Sequence, residues 1–200
     1  MSERFKLTRI PSLKTPEAFR AYVASLGMEI PCDDAIITEA SPVGEVLAGI
    51  TINGKLIGNR IALQPMEGWD GTTDGRATDA VRRRWRRFGE SGAKLICGAE
   101  AMAVRADGRA NPNQLLINSD TKGDLSELRE ILLAAHREKF GSIDDLVIGF
   151  QLTHSGRFCR PNEKFTYEPR VAYRHPILDG KFKVTSDAQV WTDDELDGLV

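Results

Sequence analysis

Three short segments carry polar or titratable side chains where apolar runs end: Gln64-Pro65-Met66-Glu67-Gly68, Gly98-Ala99-Glu100-Ala101 and Gln151-Leu152-Thr153-His154-Ser155-Gly156-Arg157. Gln151 interrupts LVIGFQL, and an amide buried there must satisfy two donors and an acceptor or cost about 1–3 kcal/mol. Neighbouring backbone would satisfy it, and so would a ligand with paired donor and acceptor groups. His154 has the chemistry of a general acid or carbonyl polariser, and equally that of a structural histidine, since no second titratable partner lies nearby in sequence. Glu67 and Glu100 are candidates for an acid–base pair if the fold brings them together. Gly98, Ala99 and Ala101 suit either a flat ring laid on the backbone or tight strand packing.

The elements that must position these residues are readable from periodicity and caps. Thr15-Pro16-Glu17 opens a helix over about 16–26 that Gly27 stops, with an irregular stretch to about residue 46. Asn53-Gly54 between ITI and KLI is a hairpin signal. RIALQPM, about 60–66, reads as a strand buried on both faces. Thr78 then caps a helix with Val81, Trp85 and Phe88 on one stripe, its end marked by Gly89 and Gly92. AKLICGAEAMAV, about 93–104, is the next buried strand, followed by the polar loop RADGRANPNQLLINSDTKG. Asp124 with Glu127 has the spacing of a capping box, opening a helix over about 124–140 with Leu125, Leu128, Leu132 and Ala135 on one face. DLVIGFQLTHSG, about 145–156, is a third apolar strand.

Strand, helix, strand, helix, strand with apolar strands is the pattern of a parallel sheet in an α/β fold. Open doubly wound sheets and closed barrels share it. No GxGxxG or GxxxxGK[ST] follows any strand, so the two common nucleotide fingerprints are absent. The long segment RFCRPNEKFTYEPRVAYRHPILDGKFKV has the length of a functional loop, and Thr192-Asp193-Asp194-Glu195 is a second capping box opening a helix. A complete barrel takes about 250 residues and eight strands, against three barrel-type strands in these 200 residues, so the expectation is a fragment.

Composition narrows the class. With 41% hydrophobic and 28% charged residues, a formal charge of −2 and a pI near 6.0, the chain has no global attraction to nucleic acid or anionic lipid. Cys32, Cys97 and Cys159 are odd in number, far apart and without CxxC spacing, which reads as reduced thiols rather than a disulfide framework or a metal site. The N-terminus lacks an apolar signal region and no apolar run approaches a membrane span, so the cytoplasm is the expected location. The expected partner is a small-molecule substrate, with a homo-oligomer possible and neither nucleic acid nor membrane. One segment argues the other way: RRRWRRF at 82–88 could be a basic-helix nucleic-acid or anion-binding module. The competing reading puts Val81, Trp85 and Phe88 against the sheet and the arginines in solvent or on acids. A non-catalytic half-barrel that dimerises is a third possibility.

The motifs NRIALQPM at 59–66, AEAMAV at 99–104 with DGRANPNQLLINSD after it, and QLTHSGRFCRP at 151–161 resemble, in that order, the Old Yellow Enzyme family of FMN-dependent, NAD(P)H-linked oxidoreductases. The resemblance implies a (β/α)8 TIM barrel, of which this chain supplies roughly the first three strands plus the hairpin and an N-terminal helical extension. Residues 1–46 would be that extension and 47–200 the N-terminal part of the FMN-binding barrel. It further implies that Pro65 and Met66 line the flavin, that Ala101 packs near the ring's carbonyl edge, and that Gln151 hydrogen-bonds the pyrimidine end. Glu67 stands where relatives carry threonine or cysteine, so a carboxylate would oppose the charge of reduced flavin. The complete protein would take hydride from NADH or NADPH through FMN to an electron-poor alkene. The family's histidine pair and phosphate-binding segment lie on later strands, so no catalytic residue and no metal ligand is assigned within this chain.

Overall fold

The computed structural model describes residues 8–35 and 42–199. By internal contacts the chain divides into two units, Met1–Glu45 and Val46–Val200. In the first, helix α1 (Pro16–Ser25) forms where proline at the first turn and the Thr15 hydroxyl, accepting from the Ala18 amide at 3.2 Å, define its start. The Arg20 guanidinium ties the following segment back through the Cys32 carbonyl and the Asp34 carboxylate. Where an irregular stretch was expected, Pro42–Leu47 forms a short helix, α2, because proline again suits a helix's first turn.

The second unit opens with the antiparallel hairpin β1 (Ile50–Ile52) and β2 (Lys55–Ile57). Asn53 and Gly54 both take positive φ, 50° and 77°, the conformation a two-residue hairpin turn requires. A three-stranded parallel sheet follows, ordered β3 (Ala62–Leu63), β4 (Leu95–Ala103) and β5 (Val147–Thr153). Strand β3 is much shorter than the 60–66 expected. Its ladder with β4 stops at Leu63 opposite Ile96 and is resumed only by a bridge from Met66 to Glu100, so β4 has one more residue than β3 across the gap.

Helices α3 (Asp79–Glu90) and α4 (Lys122–Phe140) cover one face of the sheet. Val81 and Trp85 of α3 are fully buried against Ile96 and Met102 of β4 and Leu128 and Leu132 of α4, as the apolar stripe predicts. Two sequence expectations change here. Gly89 lies inside α3, where a Cβ would collide with the Leu132 carbonyl of α4, so it serves helix–helix approach rather than helix termination. The capping box of Asp124 and Glu127 does not form, since α4 begins two residues earlier and the two carboxylates reach Arg76 and Arg82 instead. Near the C-terminus α5 (Leu178–Phe182) is followed by α6 (Asp193–Asp197), whose Thr192–Glu195 capping box is complete in both directions. Among the described residues no helix is long and apolar enough to cross a membrane.

Burial on both faces holds for β4, where Ile96 and Gly98–Ala103 are buried, and fails for β5, where Gly149–Leu152 are exposed. The cause is position: β5 ends the three-stranded sheet, and the helical layer covers only one side.

Below this layer His136 is fully buried with Nδ1 2.9 Å from the Gly89 carbonyl and Nε2 3.0 Å from Lys94 Nζ, which also bonds Asp145 at 2.7 Å. A carbonyl only accepts and an ammonium only donates, so the ring is neutral with its proton on Nδ1. Burial, aided by the Lys94 charge, holds its pKa below the usual 6.5, and burial does the same to His154. A depressed histidine pKa means the unfolded chain binds the proton first, so stability is full above about pH 6.5 and falls on acidification. The melting temperature is expected to drop between about pH 7.5 and 5.5, and His136→Gln to lose part of that slope. A pH-independent melting temperature over this range would contradict the assignment.

Candidate functional site

The three strand ends meet because β4 bulges. Gly98 is in register with Phe150, and the next matched pair is Ala101 with Gln151, so β4 holds two residues more than β5 between them. The excess is absorbed by Gly98 and Ala99 at φ 91° and 41°, left-handed backbone that costs an alanine on the order of 1–3 kcal/mol. Gly98 has no alternative: a Cβ there would stand 2.9 Å from Pro65 Cβ and 3.0 Å from both Gln151 Cβ and Gln151 N. Of the two uses read for these small residues, close strand packing is the one observed at Gly98. Beyond the bulge Ala101 is in register with Gln151 and its amide donates to the Met66 carbonyl at 3.0 Å, so the strand ends form a row of Met66, Ala101 and Gln151 in which the bridge partner of Met66 is Glu100 rather than Ala101. Register partners in a parallel pair point to one face. Met102, next to Ala101, is buried in the helical layer and Phe150, next to Gln151, packs on Trp85, so Ala101 and Gln151 face away from the helices.

Exposure along the row differs from expectation. Gln151 is exposed, not buried, and its amide makes no hydrogen bond to the described residues. The inference from a buried, unsatisfied amide therefore fails, for the reason that leaves β5 open: no described element covers Gln151 on that side of the sheet. Met66 is 74% exposed, Glu67 is exposed and Pro65 half-buried, whereas Ala101 is buried, so a molecule lying on this row meets Met66 and Gln151 first.

Glu100 faces the opposite way. It is 1% exposed, accepts from Arg84 Nη2 at 3.0 Å and from Trp85 Nε1 at 3.1 Å, and packs against Gly68. Arg84 extends the cluster to Asp70 at 2.6 Å, pinning the loop after β3 to α3. Burial pushes the Glu100 carboxyl up despite the two donors, while the Arg84 guanidinium holds Asp70 below the usual carboxylate range. Occupied in this way, Glu100 does not form an acid–base pair with exposed Glu67.

The side chains that hold the row in place come from the loop after β4, and sequence reading passed over them. Gln114, fully buried, donates to the Ala101 carbonyl at 2.9 Å and to the Thr153 hydroxyl at 3.2 Å, and accepts from the Ala110 amide at 2.7 Å. Asn111 donates to the Gly68 carbonyl at 2.9 Å. Arg109 donates to the carbonyls of Thr73, Pro112 and Pro161. The available signal was a run of carboxamides, Asn111, Asn113 and Gln114, inside a turn-rich loop, which implies backbone groups needing partners. His154 accepts from the Gly156 amide through Nδ1 and rests edge-on against Trp191 at 5.5 Å, so it acts as a loop anchor. Arg157 is buried on the Tyr173 carbonyl and the Asp179 carboxylate. Between the loops after β4 and β5 lies a cleft of about 640 Å³ lined by Asp107, Arg109, Asn162, Tyr167, Glu168 and Arg170, among others.

The basic run on α3 is largely spent on neighbours. Arg82 pairs with Glu127, Arg84 with Asp70 and Glu100, and Arg86 with Glu90 and Glu138, while Trp85 is in the core. That leaves little of a nucleic-acid surface. The cysteines are free thiols, and burial pushes Cys159 up to about 11.

No family model matches the chain, and no curated protein matches it. Solved structures similar to it include the Old Yellow Enzyme from Trypanosoma cruzi, at 20% identity over 77% of this chain and 44% of that one with a TM-score of 0.49. The Old Yellow Enzyme from Pichia sp. AKU4542 is similar at 21% identity, over 57% of this chain and 28% of that one, with a TM-score of 0.44. A 2-naphthoyl-CoA reductase in complex with 2-naphthoyl-CoA is similar at 16% identity, over 58% and 16%, with a TM-score of 0.46. The chain spans less than half the length of each of these proteins.

Gly98→Ala should destabilise the chain by about 1–3 kcal/mol through strained φ alone, more if Pro65 cannot yield. Gly123→Ala, in open space at the start of α4, is the comparison and should be neutral or slightly stabilising. Equal melting temperatures for the two variants would contradict the tight packing of the strand ends.

Proposed function

We propose that this chain belongs to the Old Yellow Enzyme family and forms one wall of the FMN pocket of a (β/α)8 barrel. The reading rests on the row of Met66, Ala101 and Gln151: three residues distant in sequence, each in a motif resembling that family, meet at the strand ends, Ala101 and Gln151 in register on the helix-free face and exposed Met66 joined to Ala101 through its carbonyl. Active sites of parallel barrels are built at this end of the strands.

The residues present fit a flat, hydrogen-bonding ring. The Gln151 carboxamide lacks a partner among the described residues and offers both donors and an acceptor, as a pyrimidine edge requires. The exposed Met66 thioether offers a polarizable surface for a ring face. Pro65 is held against Gly98, so backbone rather than a mobile side chain sets its distance from the row. Glu67, exposed beside them, would place a carboxyl group near the ring where negative charge on its oxygens disfavours negative charge on the ring, drawing the potential down. FMN held here would supply two-electron chemistry, the transfer of hydride from NADH or NADPH to an electron-poor alkene. This chain's part is to bind and orient the ring; the groups that hold substrate and phosphate belong to other strands of the complete barrel.

Titrating the chain into FMN should quench flavin fluorescence, and Gln151→Leu should weaken binding about tenfold, the equivalent of one hydrogen bond of about 1.4 kcal/mol. Flavin emission unchanged at saturating protein, or a Gln151→Leu variant that binds as well as the parent, would overturn the reading.

A further inference from the structure

Most of the arginines around the strand-end loops are neutralised by a carboxylate; Arg160 is not, nor is Lys164, among the described residues. Both instead stand over aromatic rings. The Arg160 guanidinium lies 5.3 Å from the centroid of Trp69, on the loop after β3, and 5.4 Å from that of Tyr167, on the loop after β5. Lys164 Nζ lies 5.3 Å from the Trp69 ring and 5.5 Å from Phe165. Arg160 is fixed by carbonyls, Nε donating to Ala110 at 3.1 Å and Nη1 to Lys164 at 3.4 Å. The nearest acids in the same loop are turned to other work or to solvent: Glu168 accepts from Asn162 at 2.8 Å, and exposed Glu163 pairs with neither cation.

Phe165 is 84% exposed and Trp69 43%. An aromatic ring this open, beside a second ring and two cations without counter-ions, is an unusual surface for a chain of net charge −2. Its chemistry has two halves. Exposed ring faces take a planar base by stacking, and a fixed guanidinium beside an ammonium takes a phosphate. Tyr167 also lines the 640 Å³ cleft, which gives a bound molecule room beyond the rings.

We propose that Trp69, Arg160, Lys164 and Phe165 form a binding site for the base-and-phosphate portion of a purine nucleotide, separate from the row of Met66, Ala101 and Gln151. That this nucleotide is the adenylate end of the nicotinamide co-substrate rests on the function proposed above; the binding site itself does not.

The test uses the 200-residue chain presaturated with FMN and titrated with ADP, by calorimetry and by tryptophan emission, since Trp69 is the exposed tryptophan while Trp85 and Trp191 are buried. ADP is expected to bind and to perturb Trp69, with adenosine and pyrophosphate each at least tenfold weaker. The double variant Arg160→Gln, Lys164→Gln should lose at least tenfold in ADP affinity with its melting temperature and FMN affinity unchanged. No ADP binding, or pyrophosphate binding as tightly as ADP, would overturn the proposal, as would a single-stranded oligonucleotide bound far more tightly with a steep salt dependence. Loss of FMN affinity in the double variant would also overturn it, assigning the cluster to the flavin. If FMN fails to bind while ADP binds as expected, the flavin reading falls and the nucleotide site stands.

Discussion

A backbone conformation carries the rest of this structure. Strand β4 must hold two residues more than β5 between Gly98 and Ala101, and it does so in left-handed backbone at Gly98 and Ala99. Without that excess Ala99, not Ala101, would stand opposite Gln151, since a shift of two positions keeps the alternation of faces and changes only the partner. The bulge thus sets which small residue of β4 stands beside Gln151 on the open side. It also explains the brevity of β3, whose ladder cannot continue past the irregularity in its neighbour.

Strain of this kind persists only where the surroundings over-determine it. Two sets of contacts do so on opposite faces of β4. On the helical side Glu100, drawn inward by Arg84 and Trp85, anchors the bulge to α3 and, through Asp70, anchors the loop after β3 as well. Burying a carboxylate is costly, and its raised pKa records that cost, but removing either partner would leave the other charge uncompensated. On the other side Gln114 and Asn111 donate to the carbonyls of Ala101 and Gly68, so one loop braces the ends of two strands. Rigid support of this sort is what a binding row on an exposed sheet face needs, since loops alone place side chains less accurately.

Much of this was legible in the amino-acid sequence wherever the cause is local. Asn53-Gly54 specified its turn because two positive φ values leave few other choices, and Thr78, Val81 and Trp85 specified α3 and its buried face through cap and period. The motif ends at residues 66, 101 and 151 were found because polar or small residues interrupt apolar runs there. What escaped was set by tertiary contact. Alanine at φ 41° has no sequence signature, so the bulge was invisible. Gln151 read as buried because LVIGFQL is apolar, yet exposure depends on neighbours beyond β5 that local pattern does not encode. The spacing of Asp124 and Glu127 matched a capping box, but both acids had better partners in arginines distant in sequence.

The central claim is spatial: a flavin ring lies on the helix-free face over Gln151, beside exposed Met66. Ring currents report that directly. In the chain labelled with methyl-carbon-13 methionine and side-chain nitrogen-15 glutamine, FMN should shift the Met66 methyl and the Gln151 amide, while Met102, buried under the helices, stays put. Unmoved Met66 and Gln151 signals at saturating FMN, or shifts no larger than those of Met102, would contradict it.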